Sequence, residues 1–198
     1  MLIWILYRTL TQNNKLIAEK LKAALESAKN SSQFEKLVVK VKDMRVKDPK
    51  SILRENPGIV IAGGPIHSKE MKELMREWDP SVQKWVNKFD KQASKWKGYL
   101  AIYYTHAWKE FCNDTEVWME KYYSNLKLHD RIIEPVLHAH VVEPPGPLEP
   151  DIDVKIANFA GTITARAIEM EPKKIEQPKE SSEPKVPSNK EKTDATIK

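Results

Sequence analysis

The chain has a single cysteine, Cys112, among 198 residues, which excludes an internal disulfide and a cysteine-rich zinc site. A reducing compartment is the simplest setting for such a chain, so a cytoplasmic location is expected. Long hydrophobic runs are also missing. The opening Met1-Leu2-Ile3-Trp4-Ile5-Leu6 is far too short to span a membrane, and it lacks the basic flank and cleavage site of a secretory leader. It reads as a buried strand. Nor is charge of one sign gathered in a block: the net charge of +5 and the pI near 9.1 arise from Lys and Glu interleaved along the chain. That pattern describes a solvated surface, and nucleic acid is not expected as a partner.

Catalytic arrangements are equally sparse. There is no Ser elbow, no Cys–His pair at a recognisable spacing and no metal-ligand cluster, so a hydrolase is not supported. His138 and His140 alternate on one expected strand, without a neighbouring carboxylate or third ligand in the sequence, and read as surface or core. Cys112, and the pair Glu110 and Asp114, gain no chemical role from the sequence alone. Met44, Met71, Met75 and Met119 read as core filling.

What is present is an alternation of two periodicities. Leu2–Tyr7 is an apolar run suited to a strand buried on both faces. Asn14 is a candidate N-cap, followed by Leu16, Ile17, Leu21, Ala24, Leu25 and Ala28 at helical spacing. A second strand is expected over Phe34–Val41, and Asp48-Pro49 opens a short helix through Arg54. Ile59–Ala62 forms a third strand, expected to stop at Gly63-Gly64-Pro65. An amphipathic helix is expected from Ser68 through Met71, Leu74, Met75 and Trp78. Another follows Asp79-Pro80 with Val82, Trp85, Val86 and Phe89 inward.

Gly98–Tyr104 is the fourth expected strand, and Val117, Trp118 and Tyr122 mark a helix after it. Ile132–Val142 supplies the fifth strand, and Pro150–Ile168 a last helix burying Val154, Ala157, Phe159, Ala160 and Ile163. This order predicts an α/β domain over residues 1–168: a doubly wound, five-stranded parallel sheet of order 2-1-3-4-5 with helices on both faces. From residue 169 to 198, Pro, Lys, Glu and Ser dominate and large apolar residues nearly vanish. A disordered charged tail is expected there.

The stretch from Ile5 to Leu21 resembles the signature of the flavodoxin-like family, in which an apolar strand runs into a phosphate loop of the form (Ser/Thr)-x-Thr-Gly-x-Thr. Thr9, Thr11, Ala18 and Leu21 match it; Gln12 and Asn14 stand where the pattern has Gly and Thr. Ala62-Gly63-Gly64-Pro65-Ile66-His67 resembles the family's first flavin-flanking loop, with His67 at the place of a stacking residue. Tyr104-Thr105-His106-Ala107-Trp108 resembles the second, with Trp108 as the other stacking face. Pro144–Leu148 followed by Asp153, Ala157, Phe159, Ala160 and Gly161 looks like the final strand-loop-helix connection.

The resemblance implies non-covalent FMN, its phosphate held by Thr9, Thr11, Gln12, Asn13 and Asn14. The ring would be flanked by Gly63, Gly64, Pro65, Ile66 and His67 on one side and by Thr105, His106, Ala107 and Trp108 on the other. It further implies electron transfer to a redox partner protein, or reduction of a small-molecule acceptor such as a quinone. The basic balance of this chain calls for a partner other than that of acidic flavodoxins. The physics of the first loop stands without the family: a helix N-terminus presents unpaired N–H groups and partial positive charge to an anion, to which Asn13 and Asn14 amides can add donors. Gln12 and Asn14 motivate an alternative, a scaffold of this fold that has lost flavin and serves as a protein-interaction module.

Overall fold

The computed structural model describes residues 1–9, 12–31, 37–69, 75–107, 112–142 and 146–170. The strands are β1 (Leu2–Tyr7), β2 (Val38–Asp43), β3 (Ile59–Lys69), β4 (Met75–Trp78), β5 (Tyr99–His106) and β6 (Ile132–His140). The helices are α1 (Asn13–Ser31), α2 (Pro49–Arg54), α3 (Pro80–Gln92), α4 (Cys112–Ser124) and α5 (Ile152–Met170). Five strands pair in parallel in the order β2-β1-β3-β5-β6, which is the expected 2-1-3-4-5 order, and β4 pairs antiparallel to the end of β3.

The period of two along β1 divides the core. Ile3 and Ile5 face α1 and α5, where Ile17, Leu21, Leu25, Ile156, Phe159 and Ile163 pack. Trp4 and Leu6 face the other layer, with Ile52, Val82, Trp85, Phe89 and Met119. Both Asp-Pro pairs act as helix starts. The Asp48 side chain accepts from the Lys50 N–H and that of Asp79 from the N–H groups of Ser81 and Val82, with proline at a position whose missing N–H leaves no bond unmade.

Several expectations are corrected. The second strand, expected over Phe34–Val41, is Val38–Asp43, with residues 34–36 outside the described residues; as an edge strand it buries one face only, so Lys40 and Lys42 alternate outward. β3 does not stop at Gly63-Gly64-Pro65; these residues continue in register with Tyr103, Tyr104 and Thr105. Ser68, Met75 and Trp78 lie in a hairpin, not a helix, since Ile66–Lys69 pairs with Met75–Trp78; Met71 and Leu74 lie outside the described residues. Thr105 and His106 belong to β5, paired with Ala139 and His140.

Two helices agree with expectation in part. In α4, Thr115 and Met119 are buried, Trp118 and Tyr122 pack against the core and Val117 is 64% exposed; in α5, Phe159, Ala160 and Ile163 are buried as expected, whereas Val154 and Ala157 face outward and Ile152, Ile156 and Ala167 join the core. Asn14 does not precede α1 but lies inside its first turn. α5 also includes Glu169 and Met170, and the rest of the expected tail lies outside the described residues.

Candidate functional site

Parallel pairing of β1, β3 and β5 brings their carboxyl ends to one edge of the sheet, where the connections to α1, β4 and α4 begin. In open α/β sheets this edge, at the point where strand order reverses, is where ligands bind. The sequence-derived residues are gathered there. Thr9 follows β1, Gln12 through Asn14 enter α1, Gly63 through Ile66 lie on β3, and Thr105 through Ala107 end β5. Thr11, Trp108 and the His67 side chain lie outside the described residues.

The β1–α1 loop is held by backbone and side-chain bonds to its neighbours. The Arg8 N–H donates to the Gly63 carbonyl at 2.9 Å. Its guanidinium turns to the Thr9 carbonyl (2.9 Å) and to Ser81 Oγ on α3 (3.2 Å). Gln12 has φ 67°, in the left-handed region, and its carbonyl accepts the first bond of α1 from Leu16 N–H at 2.9 Å. A side chain in this conformation costs about 1–2 kcal/mol because Cβ crowds the following carbonyl. The loop thus has at Gln12 a backbone conformation of the kind glycine adopts freely, without the glycine.

The amides expected to donate to phosphate are directed elsewhere. Asn13 Nδ2 donates to the Gly146 carbonyl at 3.3 Å, and Asn14 Nδ2 to Thr105 Oγ1 at 2.9 Å in a buried setting. Tyr103 Oη donates to the Asn14 carbonyl at 3.0 Å. Burial, with a smaller contribution from Tyr7, holds the Tyr103 phenol well above its usual range, so it remains a donor. Tyr103 was absent from the sequence-derived set, since 89 residues separate it from Asn14.

Two buried polar atoms at this loop and the helix it enters have no partner among the described residues: Thr9 Oγ1 and Asn14 Oδ1. An unmatched buried hydroxyl costs about 1–3 kcal/mol and calls for an explanation such as a ligand. The first turn of α1 carries no acidic side chain to occupy its positive end. Taken together, a free Thr9 hydroxyl, a helix N-terminus without its own anion and a left-handed residue before the helix suit a phosphate monoester.

The glycines of β3 answer to packing. A Cβ on Gly63 would fall 2.0 Å from the Tyr103 ring, and one on Gly64 would fall 2.5 Å from Val82. No glycine has positive φ among the described residues, so the Gly-Gly pair supplies close approach and not a turn. The Gly64 carbonyl accepts from Trp78 Nε1 at 3.1 Å and that of Pro65 from Asp79 N–H at 2.8 Å, which fastens the hairpin beside the site.

At the end of β5 the structure assembles a group the sequence did not announce. His106 is buried, with its ring centroid 5.5 Å from that of His140 and 6.1 Å from that of His138. His138 Nδ1 lies 3.0 Å from Glu116 Oε1 on α4, and His140 Nε2 lies 3.2 Å from the Ala107 carbonyl. The carboxylate and third imidazole missing from the sequence reading are therefore present in space. No group of three among the described residues is nevertheless arranged to hold a metal ion. No described helix is long and apolar enough to cross a membrane.

No protein-family model matches the chain, and no curated protein matches it in sequence. Solved structures do match its fold. An oxidoreductase from Corynebacterium diphtheriae superposes with a TM-score of 0.62 at 12% identity, over 86% of this chain and 98% of that one. A short-chain flavodoxin associated with a bacterial microcompartment gives 0.59 at 10% identity, over 84% and 99%. Oxidised flavodoxin 2 from Bacillus cereus gives 0.56 at 16% identity, over 84% and 99%. The fold is flavodoxin-like.

Proposed function

We propose that the protein binds FMN non-covalently at the carboxyl edge of its sheet and serves in electron transfer with a redox partner protein or a small-molecule acceptor such as a quinone. The observation that carries this reading is the buried Thr9 hydroxyl, unpartnered among the described residues, at the N-terminal end of α1. A phosphate oxygen would satisfy it, and the α1 N-terminus would complement the charge. Thr9, Thr11 and the backbone of Gln12, Asn13 and Asn14 would hold the phosphate; the Asn13 and Asn14 side chains brace the loop against Gly146 and Thr105. Gly63, Gly64, Pro65, Ile66 and His67 would line one side of the ring, and Thr105, His106, Ala107 and Trp108 the other.

The bound flavin would supply reversible electron and hydride chemistry, while the chain excludes water and sets the polarity around the ring. A cytoplasmic location belongs to the same proposal. The alternative, a scaffold without cofactor, has one observation in its favour: both asparagine amides are already bonded within the protein.

The test is a visible absorption spectrum of the natively purified protein, repeated after FMN is added and the excess removed by gel filtration. A flavin band that elutes with the protein supports the proposal. If none is retained, and excess FMN leaves the melting temperature unchanged, the scaffold reading replaces it.

A further inference from the structure

The interleaved charge of the sequence becomes one-sided on α3. Residues 80–97 contain five lysines, Lys84, Lys88, Lys91, Lys95 and Lys97, all exposed, and a single acid, Asp90. Asp90 is turned into the protein, 7% exposed, where its Oδ1 accepts from the Leu128 N–H at 2.9 Å. It leaves the surface of this segment without a carboxylate of its own. Lys88 is matched by Asp48 of the neighbouring element. The other four lysines form no ion pair among the described residues.

Shape accompanies the charge. The same face is open and shallow, lined by Pro80, Gln83, Lys84, Asn87, Lys88 and Lys91, all of α3. The first turn of α3 adjoins the candidate site, since Arg8 of the β1–α1 loop reaches Ser81 there. We propose that this outer face of α3 is a docking surface for an acidic region of a partner protein, which it would seat alongside the carboxyl edge of the sheet. That the partner exchanges electrons rests on the proposed function; the charge argument does not.

The side chains favour carboxylates over a nucleic acid. Trp85, Phe89 and Trp96 of this segment are all buried in the core, which leaves no ring on this segment on which bases can stack. The segment contains no arginine, the residue whose planar fork grips phosphate through two bonds. Lysines act as mobile point charges and suit a diffuse, salt-sensitive encounter with a protein surface.

The experiment titrates the full chain into a fluorescently labelled twenty-residue polyglutamate peptide, and in parallel into a DNA duplex of equal charge. Two variants are compared, K84E/K91E on α3 and K15E/K22E on α1, whose change in net charge is the same. All four positions are on the surface, and circular dichroism checks that each variant is folded. The expected result is peptide binding that weakens with salt and falls roughly tenfold in K84E/K91E but less than about twofold in K15E/K22E. Equal weakening in both variants, no peptide binding, or tighter binding of the duplex through Lys84 and Lys91 would each overturn the proposal. Because the readout is free of flavin, a failed FMN titration removes the proposed function and leaves this result to stand or fall separately.

Discussion

The β1–α1 loop and the Gly-Gly-Pro segment of β3 face the same edge of the sheet, yet their irregularities have different sources. In β3 each unusual residue is accounted for inside the protein: Gly63 admits the Tyr103 ring, Gly64 admits Val82, and Trp78 closes on the Gly64 carbonyl. In the loop the accounts stay open, with Gln12 in a left-handed conformation and Thr9 Oγ1 and Asn14 Oδ1 buried without partners among the described residues. Packing explains glycine without any ligand. An unmet buried atom alone is not distinctive, since Trp4 Nε1 in the core also has no partner among the described residues; its coincidence with backbone strain is, and such features gather at functional sites. The likeness of both segments to cofactor loops is therefore informative at the first and weak at the second.

The sharpest way to break this contrast is Gly63→Ala. With a Cβ placed 2.0 Å from the Tyr103 ring, the strand or the ring must shift, and the substitution should destabilise by about 3 kcal/mol in urea unfolding. The paired variant Gly63→Ala/Tyr103→Leu should recover part of that loss. If Gly63→Ala leaves stability intact but weakens FMN binding, the glycine serves the ligand and the contrast fails.

Next in size is Asn14→Ala, which removes the buried bond to Thr105 that ties α1 to the end of β5. A loss of about 2 kcal/mol is expected, and Tyr103→Phe, which deletes the donor to the Asn14 carbonyl, should lose about 1 kcal/mol. A double-mutant cycle of Asn14→Ala with Thr105→Val should show a coupling near 1 kcal/mol. Additive effects would mean that Asn14 is not bracing Thr105.

What was legible in the sequence follows the range of the forces involved. β1 was readable end to end because an apolar run buried on both faces is a local pattern, and α2 and α3 were readable from their Asp-Pro starts. β3 was cut short because Gly and Pro are punctuation locally, whereas their partner in space, Tyr103, is 40 residues away in the chain. The hairpin through Trp78 was missed for a related reason: its pattern fits a helix until Gly64 and Pro65 are seen to accept its bonds. At the site, the loop residues were found by order and type. The commitment of Asn13 and Asn14 to protein acceptors, and the approach of His106 to His138 and His140, depend on pairings between distant elements that no spacing reveals.

Gln12→Gly tests the loop from the opposite direction, because it should stabilise. Replacing a left-handed glutamine relieves about 1–2 kcal/mol of backbone strain, and the added freedom of glycine in the unfolded chain takes back part of it. A net gain of about 1 kcal/mol is expected in urea unfolding. Asn56, at φ 47° after α2, is the internal control: asparagine tolerates this region, so Asn56→Gly should gain less. Equal gains at both positions would show that Gln12 is no more strained than an ordinary helix end.

A variant at Thr9 separates the two readings of the loop most cleanly. Thr9→Val keeps the shape of the side chain and removes a buried hydroxyl that has no partner among the described residues, so folding stability should rise by about 1 kcal/mol in urea unfolding. FMN affinity, read by fluorescence quenching, should fall roughly ten- to hundredfold, since a hydrogen bond to a charged phosphate oxygen contributes about 1.5–3 kcal/mol. Riboflavin, which has no phosphate, provides the comparison: it should bind both forms alike. A Thr9→Val variant that binds FMN as the parent does would leave the buried hydroxyl without a ligand role, and the open accounts of the loop would then belong to its fold alone.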